Sequence, residues 1–156
     1  METYLTFLIG HEYFAVHVSM VLEVLQKQNI TTIPKTPAHI LGIINFRGDI
    51  VPVIDLRSKF NLNSNKISEK YIVIVFEIPT EEGIKNIISA KADAVKDVIQ
   101  INPKEIKQVP ELGLNFNSQF INGAIKRDDI FILLLDIEKV FNTNDLLVSD
   151  LVINDK

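Results

Sequence analysis

Cysteine is absent from the chain. Disulfide staples, thiolate metal sites and a cysteine nucleophile are therefore excluded together. Long apolar runs are missing too: the strongest, Ile130 to Leu135, falls far short of the roughly 20 residues that cross a bilayer as a helix. The opening Met1-Glu2-Thr3-Tyr4 lacks the basic stretch and apolar core of a secretory signal. Cations are sparse and scattered. The net charge is -4, and only Arg57 with Lys59 and Lys126 with Arg127 stand close together. Nucleic acid and anionic membranes need a dense basic patch, so neither is an expected partner. Glycine and proline number six each, too few for a collagenous or low-complexity chain. What remains reads as a cytoplasmic globular protein, one domain or two small lobes sharing a core.

No catalytic pattern emerges either. The chain has no Gly-x-Ser-x-Gly elbow, no dinucleotide or phosphate loop and no His-Glu-x-x-His. His11, His17 and His39 lack metal-ligand spacing and read as surface or half-buried residues. No cofactor and no metal are expected.

The apolar residues that are present fall into short β-rich runs. Tyr4 to Ile9 and Tyr13 to Val18 flank a Gly10 turn, a hairpin pattern. Ser19 reads as the cap of a brief helical turn through Met20 to Leu25. Ile43 to Phe46 and Ile50 to Ile54 flank Arg47-Gly48-Asp49, a second hairpin, after which Asp55 reads as the N-cap of a short helix, Leu56 to Phe60. Tyr71 to Ile78, Ile84 to Ala92 and Val95 to Ile101 read as strands. Ile121 to Ile125 and Ile130 to Leu135 form a last hairpin, with Asp136 capping Ile137 to Phe141. Residues from Asn142 onward read as a loosely packed tail.

The two halves resemble each other. Sliding His39–Asn61 along by 81 residues aligns six identities without a gap: Ile40/Ile121, Gly42/Gly123, Ile44/Ile125, Asp55/Asp136, Phe60/Phe141 and Asn61/Asn142. Chance gives roughly one or two in so biased a composition. Upstream, Val18–Gln26 lies over Ala92–Gln100, matching Val21/Val95, Val24/Val98 and Gln26/Gln100, with Glu23/Asp97 keeping the charge. Two copies of one β-rich unit, without long crossover helices, favour two small barrels over a parallel sheet.

The residues Gly42 to Phe60, GIINFRGDIVPVIDLRSKF, resemble the signature of the CheW family, with Phe46 where its Asn-Leu-Arg-Gly has Leu. The opening YLTFLIGHEYFAVHVSMVLEVL and the later ADAVKDVIQI and GAIKRDDIFILLLDIEKVF match further segments in order. The resemblance implies a mainly β fold: two SH3-like five-stranded β-barrel lobes with short helices around a shared hydrophobic core. It implies one domain over residues 1–142, with lobes over about 14–66 and 67–141, the N-terminal strand free to pack across them, and a tail over 143–156. The implied function is that of a non-catalytic adaptor joining the cytoplasmic tip of chemoreceptors to the regulatory domain of the histidine kinase CheA. Weak self-association in arrays is conceivable. The alternative is a CheW-like scaffold of a pilus or other two-component pathway, or a receiver-less relative of CheV.

On that resemblance, Val21, Glu23, Val24, Arg47, Val95 and Val98 are the receptor-binding candidates, and Lys107, Glu111 and Leu112 the kinase-binding ones. Each has a plainer reading. The valines could be simple core, and Glu23 with Arg47 could brace a hairpin, a kind of exposed pair that stabilises by less than about 1 kcal/mol. Gly42, Gly48 and Gly123 read as backbone geometry and Asp55 and Asp136 as helix caps. Arg47-Gly48-Asp49 is turn chemistry rather than an adhesion motif. Lys91, in a strand otherwise apolar, is expected to find an exposed face or to reach Asp93 or the neighbouring lobe.

Overall fold

The structure, a computed structural model, describes residues 1–62, 70–79, 83, 85–108, 118–141 and 145. Among them are ten strands: β1 (Glu2–Ile9), β2 (Glu12–His17), β3 (Val21–Leu25), β4 (Ile40–Phe46), β5 (Asp49–Asp55), β6 (Ile72–Pro79), β7 (Lys85–Ala92), β8 (Ala94–Ile101), β9 (Ile121–Arg127) and β10 (Ile130–Leu135). Short helices α1 (Leu56–Lys59) and α2 (Ile137–Val140) follow β5 and β10. The helical turn expected over Met20 to Leu25 is instead a 3-10 turn, Val18–Met20, followed by β3. His17, not Ser19, caps it, its ring accepting from the Ser19 N–H. The β-branched valines then pair with β6 rather than wind into a helix.

The strands form two five-stranded sheets. A central sheet runs β3-β6-β7-β5-β4 and a terminal sheet β8-β1-β2-β10-β9. The sheets do not follow the expected division near residue 66. β6 and β7, beyond it, complete the central sheet, while β1 and β2, at the chain's start, complete the terminal one. Each unit is a strand, a hairpin, a short helix and a closing hairpin; the terminal unit takes its closing hairpin from the N-terminus. The repeat is thus circularly permuted along the chain. The closing contact is parallel in both, β5 on β7 and β10 on β2. No tight hairpin can join a parallel pair.

Smaller features repeat with the strands. The Asp55 N–H donates to the His39 carbonyl at 2.7 Å and the Asp136 N–H to the Phe120 carbonyl at 2.9 Å. Thr31 bridges Ile43, and Lys107 bridges Ala124. Gly42 and Gly123 allow those crossing segments in: a Cβ at Gly42 would stand 2.1 Å from the Thr31 oxygen, and one at Gly123 2.6 Å from the Ile106 Cγ2.

Among the described residues, three apolar clusters form the core. Val51, Val53, Val73 and Val75 lie in the central sheet's own core, and Ala15, Ile101, Ile125 and Leu134 in the terminal one's. The largest is shared: Phe7 and Phe14 from one sheet meet Ile74 and Phe76 from the other, with Leu56, Phe60, Ile137 and Phe141 between. Strands buried on both faces need no polar alternation, which explains the run Ile72-Val73-Ile74-Val75-Phe76. The helices exchange anchors. Phe60, after α1, packs on Phe14 at 5.5 Å between ring centres, and Phe141, after α2, on Phe76 at 5.6 Å. Each such buried side chain contributes about 2–3 kcal/mol.

The expected loose tail holds at least one fixed residue. Asp145 is buried; its carboxylate meets His39 Nε2 at 2.6 Å and also Lys59 Nζ. An ionised carboxylate survives burial only with such partners.

Candidate partner-binding surface

β3 and β8 occupy equivalent places, each an edge of its sheet. Val21 stands opposite Phe76 and Val24 opposite Ile74; Val95 stands opposite Phe7 and Val98 opposite Leu5. Residues opposite one another in an antiparallel pair share a face, and these four partners all belong to the shared core. Three residues apart, Val21 and Val24 should point to opposite faces of a regular strand. A register shift between Val21 and Glu23 leaves Leu22 as the extra residue, and one at Thr6/Phe7 does the same for Lys96. Each bulge returns both valines of its strand to the core side. In the second bulge, buried Thr6 is the fastening: its hydroxyl donates to the Asp97 carbonyl and accepts from the Asp97 N–H, both at 3.0 Å.

The outcome is two matched apolar rows running from core to solvent. Val21 and Val95 are half-buried against the shared core. Val24 is 39% and Val98 58% exposed, among the few large apolar residues left in water. Leu22, which the spacing does not single out, joins them at 38%.

Glu23 stands opposite Val75, on the other face of β3. It accepts from Arg47 Nη2 at 3.0 Å, and the guanidinium lies 4.8 Å from the Phe46 ring. The six receptor candidates therefore divide into a valine set and an ion pair on opposite faces of β3. Lys107 is exposed and bridges β9 by its backbone, whereas Glu111 and Leu112 lie outside the described residues. Gly48, at φ 88, completes the turn begun by Arg47 at φ 52, and its N–H donates to Asn45 Oδ1 at 3.0 Å. Asp55 caps α1 through the Arg57 N–H and Asp136 caps α2 through the Lys139 N–H.

Among the described residues, two side-chain clusters join the units, and sequence reasoning had no handle on either. Arg57 Nη2 donates to Asp93 Oδ2 at 2.7 Å, and the Gly10 N–H donates to the same oxygen. That carboxylate links α1, the start of β8 and the β1–β2 turn. The second is the contact of Asp145 with Lys59 and His39. Lys91 reaches neither Asp93 nor the other unit; its ammonium lies 4.8 Å from the Tyr71 ring. Among the described residues, no helix is long and apolar enough to cross a membrane.

Comparison with known proteins decides the family. The model of the CheW-like domain matches residues 3–145. The chain belongs to the CheW-like family. The chemotaxis protein CheW of Klebsiella aerogenes is 28% identical over 149 residues, covering 96% of this chain and 87% of that one. That of Helicobacter pylori is 30% identical over 139 residues, covering 88% and 79%. The crystal structure of the scaffolding protein TtCheW from Thermoanaerobacter tengcongensis superposes with a TM-score of 0.78 at 33% identity, covering 92% of this chain and 94% of that one. The expected mainly β, two-sheet CheW-like fold is thus borne out, and the match ends at Asp145, the residue anchored on Lys59.

Proposed function

We propose that this CheW-like chain is a cytoplasmic, non-catalytic adaptor that couples chemoreceptors to the histidine kinase CheA and helps set its autophosphorylation. The observation that carries this reading is the matched pair of exposed valine rows on β3 and β8. A receptor's cytoplasmic tip is helical, and a helix binds by laying an apolar stripe against apolar residues of this kind. Val21, Val24, Val95 and Val98 then line the receptor contact, and Glu23 with Arg47 flanks it from the other face of β3. Lys107, with Glu111 and Leu112, serves the regulatory domain of the kinase, an assignment supported by family resemblance alone.

Reconstitution with a receptor fragment and the cognate kinase tests the coupling. The chain should increase both kinase activity and recovery of the ternary complex. Unchanged activity and assembly would rule the role out for that pathway. Val98→Asp tests the surface: at so exposed a position it should leave thermal unfolding nearly unaltered yet abolish receptor pull-down. Wild-type binding by that variant would move the receptor contact elsewhere.

A further inference from the structure

The internal repeat equates residues that share no chemistry, and one such corner is unbalanced. By strand register, Lys91 corresponds to His17: Lys91 pairs with Val73 as His17 pairs with Tyr4. Tyr71 then corresponds to Glu2 and Lys27 to Ile101. In the terminal unit the corner holds its own carboxylate, since His17 Nε2 meets Glu2 Oε2 at 2.5 Å, and Ile101 is buried. In the central unit the carboxylate is replaced by a tyrosine ring and the buried isoleucine by a second cation. Lys91 and Lys27 stand 4.8 and 5.6 Å from the Tyr71 ring centre, a range in which the ring face attracts ammonium groups.

Among the described residues, neither lysine has a carboxylate. Asp55 is opposite Lys91 in the parallel pair, but its Oδ1 is engaged with the Arg57 N–H. Among the described residues, no salt bridge reaches Lys27 or Lys91. Two ammonium groups on one ring lie within about one Debye length (~10 Å at 0.1 M salt) of each other, so they act together on an anion. The platform is fixed as well: the Tyr71 hydroxyl donates to the Gln28 carbonyl at 2.9 Å, and the ring packs on the central sheet's core. In a chain of net charge -4, a corner of unpaired positive charge calls for a carboxylate from outside.

We propose that Lys27, Tyr71 and Lys91 form a docking site for an acidic segment of a protein partner, which supplies the carboxylate that Glu2 supplies in the other unit. The corner lies just beyond the end of β3, on the Glu23 face of that strand, where Leu25 and Tyr71 pack on the central sheet's own core. The site deepens the adaptor reading in that it takes the occupant to be a protein, and its test uses a probe independent of the receptor.

The probe is a synthetic glutamate-rich peptide, titrated into the isotope-labelled full chain and followed by NMR, with inorganic phosphate and a glutamine-substituted peptide in parallel. Shift changes should concentrate at Lys27, Gln28, Tyr71 and Lys91 and weaken with added salt. The double variant Lys27→Gln with Lys91→Gln should lose on the order of tenfold in affinity while keeping the wild-type spectrum elsewhere. Changes scattered over the surface, equal affinity in the double variant, or an equal response to phosphate would each overturn the proposal. The same variants are then assayed against the receptor fragment. If wild type fails to bind it, the adaptor reading fails while the peptide result stands; if wild type binds and the double variant binds equally, the acidic contact alone is lost.

Discussion

Helices α1 and α2 occupy the same place in the two units, cap with the same residue and end on the same phenylalanine, yet carry opposite chemistry between. Where α1 has Arg57 and Lys59, α2 has Glu138 and Val140. Arg57 reaches Asp93, and Lys59 holds Asp145. What the units keep in common is set by the backbone: the bulges, the glycine approaches, the aspartate caps. What they do not share lies at polar corners that join one unit to the other or face outward.

The comparison breaks most sharply at Asp145. Removing this carboxylate by Asp145→Ala strands Lys59, whose side chain is only 7% exposed, and should cost about 3–5 kcal/mol in urea unfolding. The second site separates electrostatics from packing. Lys59 Nζ lies 5.9 Å from both the Phe120 and Phe141 rings, so Lys59→Met added to Asp145→Ala should recover most of the loss. The terminal unit already has Val140 at the matching position. No recovery would mean that Asp145 acts through other contacts.

The glycines should give the next largest effect, and an unequal one. At Gly42 a Cβ meets the Thr31 carbonyl, part of the main chain, at 2.1 Å; at Gly123 the nearest atom is the Ile106 side chain at 2.6 Å, with the Lys107 oxygen at 2.9 Å. A side chain can turn aside and a bridged backbone cannot. Gly42→Ala should therefore cost about 3 kcal/mol or more and Gly123→Ala about 1–3. Equal losses would show that the two crossings are not held alike.

The hairpin tips sharpen the comparison in the stabilising direction. The central tip uses Arg47 and Gly48, both at positive φ, and the terminal tip places Asp128 at φ 51 and Asp129 at φ 63. A left-handed residue without glycine's freedom costs free energy, although aspartate tolerates it better than most. Asp129→Gly copies the Gly48 position and should stabilise by about 0.5–1 kcal/mol in thermal unfolding. Its ion pair to Lys126 spans 3.9 Å at an almost fully exposed site, so little is lost with it.

Much of this architecture was legible because it is local or repeated. Asp55 and Asp136 cap one turn away, the hairpins announce themselves by turn residues, and the 81-residue offset is visible by eye. The closing hairpin's exchange was not legible, because β1 aligns with β6 through only two identities, Phe7/Phe76 and Ile9/Ile78, at an offset unlike that of the main repeat. Nor was β3: Val21 and Val24 have helical spacing, and only a bulge lets a strand place both on one face. Arg57 with Asp93 and Lys59 with Asp145 are contacts between residues 36 and 86 apart. Nothing in a single sequence couples such pairs, since they form only after the two sheets close on their shared core.

The smallest expected effect concerns how each unit ties down the tip of its hairpin, from the β4–β5 turn in one and from the end of β9 in the other. In the central unit Arg47 reaches across to Glu23; in the terminal unit Arg127 meets Glu105 at 3.0 Å and also donates to the Gln100 carbonyl. The Arg127 hydrogen bonds, and next the Asn102 N–H, hold the Glu105 carboxyl below its ordinary value of 4.5. A lowered folded-state pKa stabilises the fold above the unfolded glutamate value, and that contribution disappears as pH falls through the folded one. In an NMR titration Arg127→Ala should raise the Glu105 pKa, though not fully, because the Asn102 N–H still donates to it at 3.0 Å. The stability difference between variant and wild type should be present at neutral pH and shrink as the pH drops below the folded value. A Glu105 titration that ignores Arg127 would instead assign the shift to the capping box, leaving Arg127 to act through Gln100 alone.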